Sequence, residues 1–116
     1  MAQTFTPSVT PNAIALINAA SEDTVFIMKQ FQPASMWNPE DMDLVPHQIH
    51  FSGSYEECEK KWNSLMNRVQ MYHDEEKWEI FSKGKGDGFS NVVFFKGSEV
   101  VTLTVCTKQR AKELAL

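Results

Sequence analysis

Hydrophobic positions between residues 54 and 107 follow a helical period first and an alternating period afterwards. Apolar and aromatic side chains recur every three or four residues, at Tyr55, Cys58, Trp62, Leu65, Val69 and Tyr72. In a helix this spacing places all of them along one stripe, with the charged residues on the other faces. Ser54 comes directly before the first residue of the stripe, and Glu57 lies three residues after Ser54. This is the spacing of a capping box. The pattern predicts one long amphipathic helix over about residues 54–73.

Strand patterns follow this helix directly. They favour a helix packed on a sheet over a coiled coil, the other structure that has such a stripe. Alternation of apolar and polar residues predicts strands over residues 78–83, 89–96 and 99–107. Glycine-containing turns separate the strands, one over residues 83–88 and one over residues 96–99. The three strands are therefore predicted to form an antiparallel meander.

The first half of the chain carries weaker signals. Thr10 and Pro11 suit the cap and the first residue of a short helix over residues 12–20. Clusters of β-branched and aromatic residues predict strands over residues 24–31 and 47–51. Together the elements predict an α+β fold. It consists of an antiparallel sheet of about five strands, one long amphipathic helix packed on one face, and a short N-terminal helix beside that helix.

Length and composition predict a single domain over residues 1–116. The chain has 116 residues, of which 42% are hydrophobic, and no low-complexity linker divides it, so it suits one core. Its start lacks a basic segment followed by an apolar one, and no apolar run approaches the roughly 20 residues that cross a bilayer. We therefore expect a cytoplasmic protein with no membrane partner.

Charge is distributed unevenly along the chain. The net charge is −4 and the sequence pI is about 5.3, which disfavours general attraction to a nucleic-acid backbone. Residues 1–53 hold one basic and five acidic side chains, whereas residues 77–116 hold seven basic and four acidic ones. The basic part coincides with the predicted meander, so any binding of anions is expected there.

The turn over residues 83–88 is the first candidate site. Two lysines among three glycines can bring ammonium groups and backbone N–H groups together around a phosphate. The predicted ligand-binding residues are Lys83, Lys85, Asn91, Lys108 and Arg110. The segment does not match the nucleotide-binding P-loop pattern. The alternative is a mobile hairpin tip whose glycines only meet the geometry of the turn.

The connection over residues 32–46 is longer than most connections in compact domains and contains three prolines. It carries Met36, Trp37 and Met42, and Trp and Met are favoured anchors at interfaces. These three residues are the predicted partner-binding set. In the alternative they fold back and cap the core. Polar residues on one sheet face further suggest coverage by a second subunit, so a homo-oligomer is expected.

Motifs for metal binding, cofactor binding or catalysis are not recognised, so we predict no metal, no cofactor and no catalytic residues. His47 and His50 lie three apart in a predicted strand and would point to opposite faces, which prevents shared ligation. Cys58 belongs to the helical stripe and Cys106 lies near a strand end. Both cysteines are interpreted as structural residues.

The sequence thus favours a non-enzymatic binding or inhibitory accessory protein, which occupies a protein partner or sequesters a small phosphate-containing anion. An alternative is a nucleic-acid-binding module that uses the basic meander, with Trp78, Phe89 or Phe94 stacking on bases. A small enzyme is the third hypothesis. Strong salt dependence of binding would distinguish the nucleic-acid hypothesis from the first.

Overall fold

The computed structural model describes residues 9–36, 46–75, 78–86 and 88–115. The predicted α+β class is confirmed. In this part of the chain the elements are α1 (Val9–Ala19), β1 (Val25–Pro33), β2 (Gln48–Gly53), α2 (Tyr55–Asp74), β3 (Trp78–Gly86), β4 (Phe89–Lys96), β5 (Glu99–Thr107) and α3 (Lys108–Ala115). A short 3-10 turn over Ala34–Met36 follows β1.

The strands form one antiparallel sheet in the order β2-β1-β5-β4-β3, so the predicted meander of β3, β4 and β5 is confirmed. β1 and β5 pair along their whole length, from Val25 opposite Thr107 to Pro33 opposite Glu99. β2 and β3 are the edge strands, and α2 joins them in sequence. The helix therefore crosses the sheet. Its 20 residues give about 30 Å of length, more than the roughly 19 Å between the edges of a five-stranded sheet.

The start of α2 is fixed by the predicted capping box. The backbone N–H of Glu57 donates to Ser54 Oγ at 3.2 Å, and the backbone N–H of Ser54 donates to Glu57 Oε1 at 2.9 Å. These hydrogen bonds lower the pKa of the Glu57 carboxyl. Two backbone donors that a helix start leaves unpaired are thus satisfied, and the helix begins where the sequence predicts.

Two hydrophobic clusters occupy the two faces of the sheet. On the face that α2 covers, the buried residues are Val69, Val92, Phe94, Val101 and Leu103. On the other face, α1 and α3 pack on strand residues through Ala13, Ile17, Phe26, Met28, Cys106, Ala111, Leu114 and Ala115. The expectation that the short N-terminal helix lies beside the long one is therefore wrong. Strand alternation sends Leu103 and Cys106 of β5 to opposite sides, and each side has its own helices.

The hydrophobic stripe of α2 is less uniformly buried than its spacing predicts. Cys58 and Val69 are the buried residues, whereas Trp62 and Leu65 are partly exposed and Tyr55 is 67% exposed. The helix therefore covers the sheet along a narrow line and leaves grooves along both of its sides. The grooves, rather than the buried line, are where a ligand can reach the sheet.

The structure differs from the prediction in three main respects. α1 begins at Val9, so Thr10 and Pro11 lie within its first turn rather than before it. β3 extends to Gly86 and pairs with β4 as far as Phe89, so most of the predicted turn over residues 83–88 is strand. α3 is not predicted from the sequence at all. No helix in the described ranges is long and apolar enough to cross a membrane.

Candidate functional site

The five predicted ligand-binding residues do not form one site. Lys83, Lys85 and Asn91 border a cavity of about 470 Å³ between α2 and the β3-β4 hairpin. Asn91 pairs with Gly84, and strand alternation directs its side chain to the opposite side of the sheet from the two lysines. Lys108 and Arg110 belong to α3, which packs on that opposite side. The structure therefore does not bring the five residues together, because they are strand and helix residues on two faces, and anion binding by any of them stays a prediction.

Lys108 has a structural role that explains its burial. Its side chain enters the core and its Nζ donates to the carbonyl oxygen of Ala20 at 2.7 Å and to that of Asn18 at 3.5 Å. Glu22 Oε1 lies 3.3 Å from the same nitrogen. The ammonium thus satisfies carbonyl groups at the C-terminal end of α1, where the helix dipole also favours a cation.

Lys108→Met is expected to lower the free energy of unfolding by about 2 kcal/mol, because it leaves buried carbonyl groups without their charged donor. Urea denaturation followed by circular dichroism measures this loss. Lys60→Met is the matched control, since Lys60 is exposed on α2. Equal losses for the two variants would show that Lys108 does not hold α1 to α3.

Arg110 also interacts with neighbouring residues of the fold. Its Nη1 donates to Glu113 Oε1 at 2.9 Å, and its guanidinium lies 4.9 Å from the centroid of the Phe89 ring. The hydrogen bonds from Arg110 and Gln109 lower the pKa of the Glu113 carboxyl. Arg110 therefore contributes to the packing of α3 on β4.

The predicted partner-binding residues are mostly beyond the described chain. Met36 ends the 3-10 turn after β1, but its side chain, together with Trp37 and Met42, lies outside the described residues. The proposal that these three anchor a partner stays a prediction.

Basic residues from four elements line a groove along α2, on the side of the helix opposite the cavity that Lys83 and Lys85 border. This basic groove has a volume of about 220 Å³. Its polar lining consists of Lys29, His50, Lys61, Arg68 and Lys96. Apolar and aromatic residues form the rest of its wall, namely Phe31, Leu65, Val69, Trp78, Phe94, Val101 and Leu103. Among the residues that the structure describes, none that lines the groove carries a carboxylate or a thiol.

Strand register and helix period bring these cations together. Lys29 lies opposite Leu103 on the face that α2 covers. Lys61 and Arg68 are seven residues apart, about two turns, and therefore lie on one side of the helix. Lys96 is the last residue of β4. Residues from distant parts of the sequence thus converge on one strip of the sheet.

His50 enters the groove through a β-bulge. Ile27 pairs with Phe51 and Met28 pairs with Ile49, so His50 is an extra residue in β2. Such a bulge re-aims side chains and interrupts the strict alternation of faces. His50 lines the groove, and the neighbouring Phe51 ring lies 6.0 Å from Lys61 Nζ on the same side of the sheet.

The cations of the groove repel one another. Partial burial and the nearby charge of Lys96 lower the pKa of Lys29. Partial burial and the charges of Lys29 and Lys61 lower the pKa of His50. Among ion pairs between described residues, none involves the groove's lysines or arginine. The nearby positive charges therefore favour an anion in the groove, which would offset their mutual repulsion.

Most aromatic rings near the groove are already stacked or buried. Trp78 stacks on Tyr72 with ring centroids 4.3 Å apart and on Phe94 at 5.1 Å, and Lys96 Nζ lies 5.1 Å from its centroid. Phe94 is buried, and Phe89 packs in the opposite cluster under Arg110. The three rings predicted to stack on bases are thus engaged in the fold. Phe31 differs, because it is 49% exposed at the groove.

The remaining candidate groups for chemistry are buried. Cys58 Sγ donates to the carbonyl oxygen of Val25 at 3.2 Å, and burial raises the pKa of Cys106 to about 12. Both thiols stay protonated at neutral pH, as expected of structural cysteines. His47 is buried just before β2 and does not form a pair with His50 on one face of the sheet. In the described part of the chain, no group of three His, Cys, Asp or Glu residues could hold a metal ion.

Sequence analysis missed every cation of the basic groove. One signal was available: Lys29 is the only Lys or Arg among the first 53 residues, and it directly follows four apolar residues of a predicted strand. A charged residue inside a buried strand requires a partner or a function. Comparisons of the chain with protein-family models, with curated proteins and with solved structures gave no match.

Proposed function

We propose that this protein binds a small phosphate-containing anion in the basic groove and sequesters it without transforming it. The observation that carries the proposal is the convergence of Lys29, Lys61, Arg68 and Lys96 on an apolar wall, where the described lining residues include no acidic one. Partial burial, and after it the neighbouring positive charges, lower the pKa values of Lys29 and His50. Residues held in such unfavourable arrangements are candidates for function.

The donor set suits a phosphoryl group. Arg68 offers a planar fork that matches two phosphate oxygens, and each lysine ammonium is a compact charge with three N–H donors. Charge-assisted hydrogen bonds of this kind are about twice as strong as neutral ones. The apolar wall of Leu65, Val101 and Leu103 keeps water away from one side and so strengthens each interaction.

Sequestration is favoured over catalysis by the chemistry of the lining. Lysine ammonium and arginine guanidinium groups donate hydrogen bonds and have no acceptor, so they hold an anion without taking a proton from it. Among the described lining residues, only His50 can accept a proton. As part of the same proposal, the protein acts in the cytoplasm as an accessory or inhibitory protein. We propose separately that Met36, Trp37 and Met42 bind a second copy of the chain or another protein.

Calorimetric titration with inorganic phosphate and with pyrophosphate at low ionic strength tests the proposal. We expect exothermic binding at one site per chain, stronger for pyrophosphate because it carries more charge. Affinity should fall as salt is added, since the groove is open to solvent and its charges are screened. Absence of binding for both anions would contradict the proposed function.

Acidification is expected to strengthen anion binding. In the free protein the pKa of His50 lies below its usual value of 6.5, because the imidazole is partly buried beside Lys29 and Lys61. Arg68 from α2 and Lys96 from β4 line the same groove. A bound anion supplies an opposite charge and raises this pKa, so binding takes up a proton. Each unit of increase gives about tenfold tighter binding at low pH.

Sulfate is the suitable probe for this pH effect, because it stays a dianion between pH 5 and pH 8. Its affinity should rise as the pH falls through the pKa that His50 has in the complex, and should level off below the lower pKa of His50 in the free protein. His50→Gln should flatten the profile while leaving binding at pH 8 nearly unchanged. A profile of the same slope in that variant would show that another group takes up the proton.

A further inference from the structure

We propose that the anion is a nucleotide, whose phosphate occupies the basic groove and whose base stacks on Phe31. This inference rests on the proposed function and adds the chemical class of the ligand. It is carried by three observations: the small volume of the groove, the exposure of one aromatic ring at its edge, and the position of that ring relative to Lys29.

The groove is too small for a whole nucleotide. Its volume of about 220 Å³ lies below the range of roughly 300 to 1,000 Å³ that is usual for sites enclosing a complete ligand. A phosphoryl group fits among the cations, and the rest of the ligand then lies at the mouth. The neighbouring surface therefore decides which phosphate esters bind.

Phe31 is the exposed aromatic residue at that mouth. Nearly half of its surface is accessible, whereas Trp78 and Phe94 in the same groove are stacked on each other. The exposed ring of Phe31 on this strand presents a flat apolar surface to a ligand. Nucleobases of any type stack on such rings, because every base has a π face.

The geometry of β1 links the ring to the phosphate site. Phe31 follows Lys29 by two residues, so both side chains lie on the same face of the strand, about 7 Å apart along it. A ribose spans a distance of this order between base and phosphate. Lys29 Nζ also lies 4.6 Å from the centroid of the Phe31 ring. The cation and the ring therefore form one continuous surface for a charged, aromatic ligand.

Adenosine 5′-monophosphate, ribose 5-phosphate and inorganic phosphate are the probes for a calorimetric comparison. The first two share the phosphate and the sugar and differ in the base. We expect the full chain to bind adenosine monophosphate about tenfold more tightly than ribose 5-phosphate. Phe31→Ala should remove this preference, so that the ratio of the two affinities falls to about one. Phe31→Trp should retain the preference, because it keeps a flat ring.

The outcomes separate the two proposals. Equal affinities of the unmodified protein for adenosine monophosphate and ribose 5-phosphate would overturn the nucleotide assignment and leave phosphate binding intact. No binding of any probe would overturn both. Much tighter binding of short single-stranded DNA than of adenosine monophosphate would replace the free nucleotide by a nucleic acid and also overturn the assignment.

Discussion

Phe26→Ala is expected to lower the free energy of unfolding by about 3 to 5 kcal/mol, because it removes a whole aromatic ring from a packed interior. Phe26 is 1% exposed and belongs to the cluster through which α1 and α3 cover the sheet. The structure has no other described element on that side to close over the space left behind. A loss of this size is a large fraction of the stability of a small domain.

Phe31→Ala is the matched control for this substitution. Phe31 lies on the same strand, but it is 49% exposed and on the other face. Its replacement by Ala should cost about 1 kcal/mol or less, the sum of a partly buried contact and its interaction with Lys29. Urea denaturation followed by circular dichroism compares the two. Similar losses for both variants would mean that the cluster under α1 and α3 is not a packed core.

The parts of the fold that the sequence predicts are those fixed by local interactions. The capping box of Ser54 and Glu57 consists of hydrogen bonds within four residues. The local sequence is therefore enough to predict where α2 begins. The β4-β5 turn at Gly97 likewise depends on a positive φ angle that glycine adopts without strain. Both features were predicted correctly.

α3 was not predicted because its stability comes from contacts with residues that are distant in the sequence. The helix has eight residues, too few to be stable alone in water. Its buried residues Ala111, Leu114 and Ala115 pack on Phe26 and Met28 of β1, more than 80 positions earlier in the chain. The local pattern shows mainly polar residues, so the burial that forms the helix is visible only once the sheet is assembled.

The basic groove, which is the proposed site, was missed for a related reason. Its cations lie at positions 29, 50, 61, 68 and 96, which converge only through the strand order and the path of α2 over the sheet. The bulge at His50 is also invisible in the sequence, since it depends on how β2 pairs with β1. Lys83 and Lys85 were favoured because they are close in sequence. Closeness along the chain is a poor guide to a site built across a sheet.

Replacing both Lys29 and Arg68 by Met should weaken pyrophosphate binding by about a hundredfold or more. These residues approach the groove from β1 and α2, and each would make a charge-assisted hydrogen bond to the anion. Such bonds contribute about 1.5 to 3 kcal/mol each, and every 1.4 kcal/mol corresponds to a tenfold change in affinity. Removing these charges should leave the free protein folded, because partial burial and the charge of Lys96 already disfavour the charged form of Lys29.

Lys83→Met combined with Lys85→Met is the control for this double variant. It removes the same number of positive charges from the cavity on the other side of α2. A general effect of net charge would weaken binding equally in both double variants, whereas a specific site in the basic groove requires a loss only in the first. Calorimetric titration gives the affinities, and thermal unfolding shows that both variants are folded. If the control loses affinity and the Lys29 and Arg68 variant does not, the anion binds beside β3, and the basic groove is not the site.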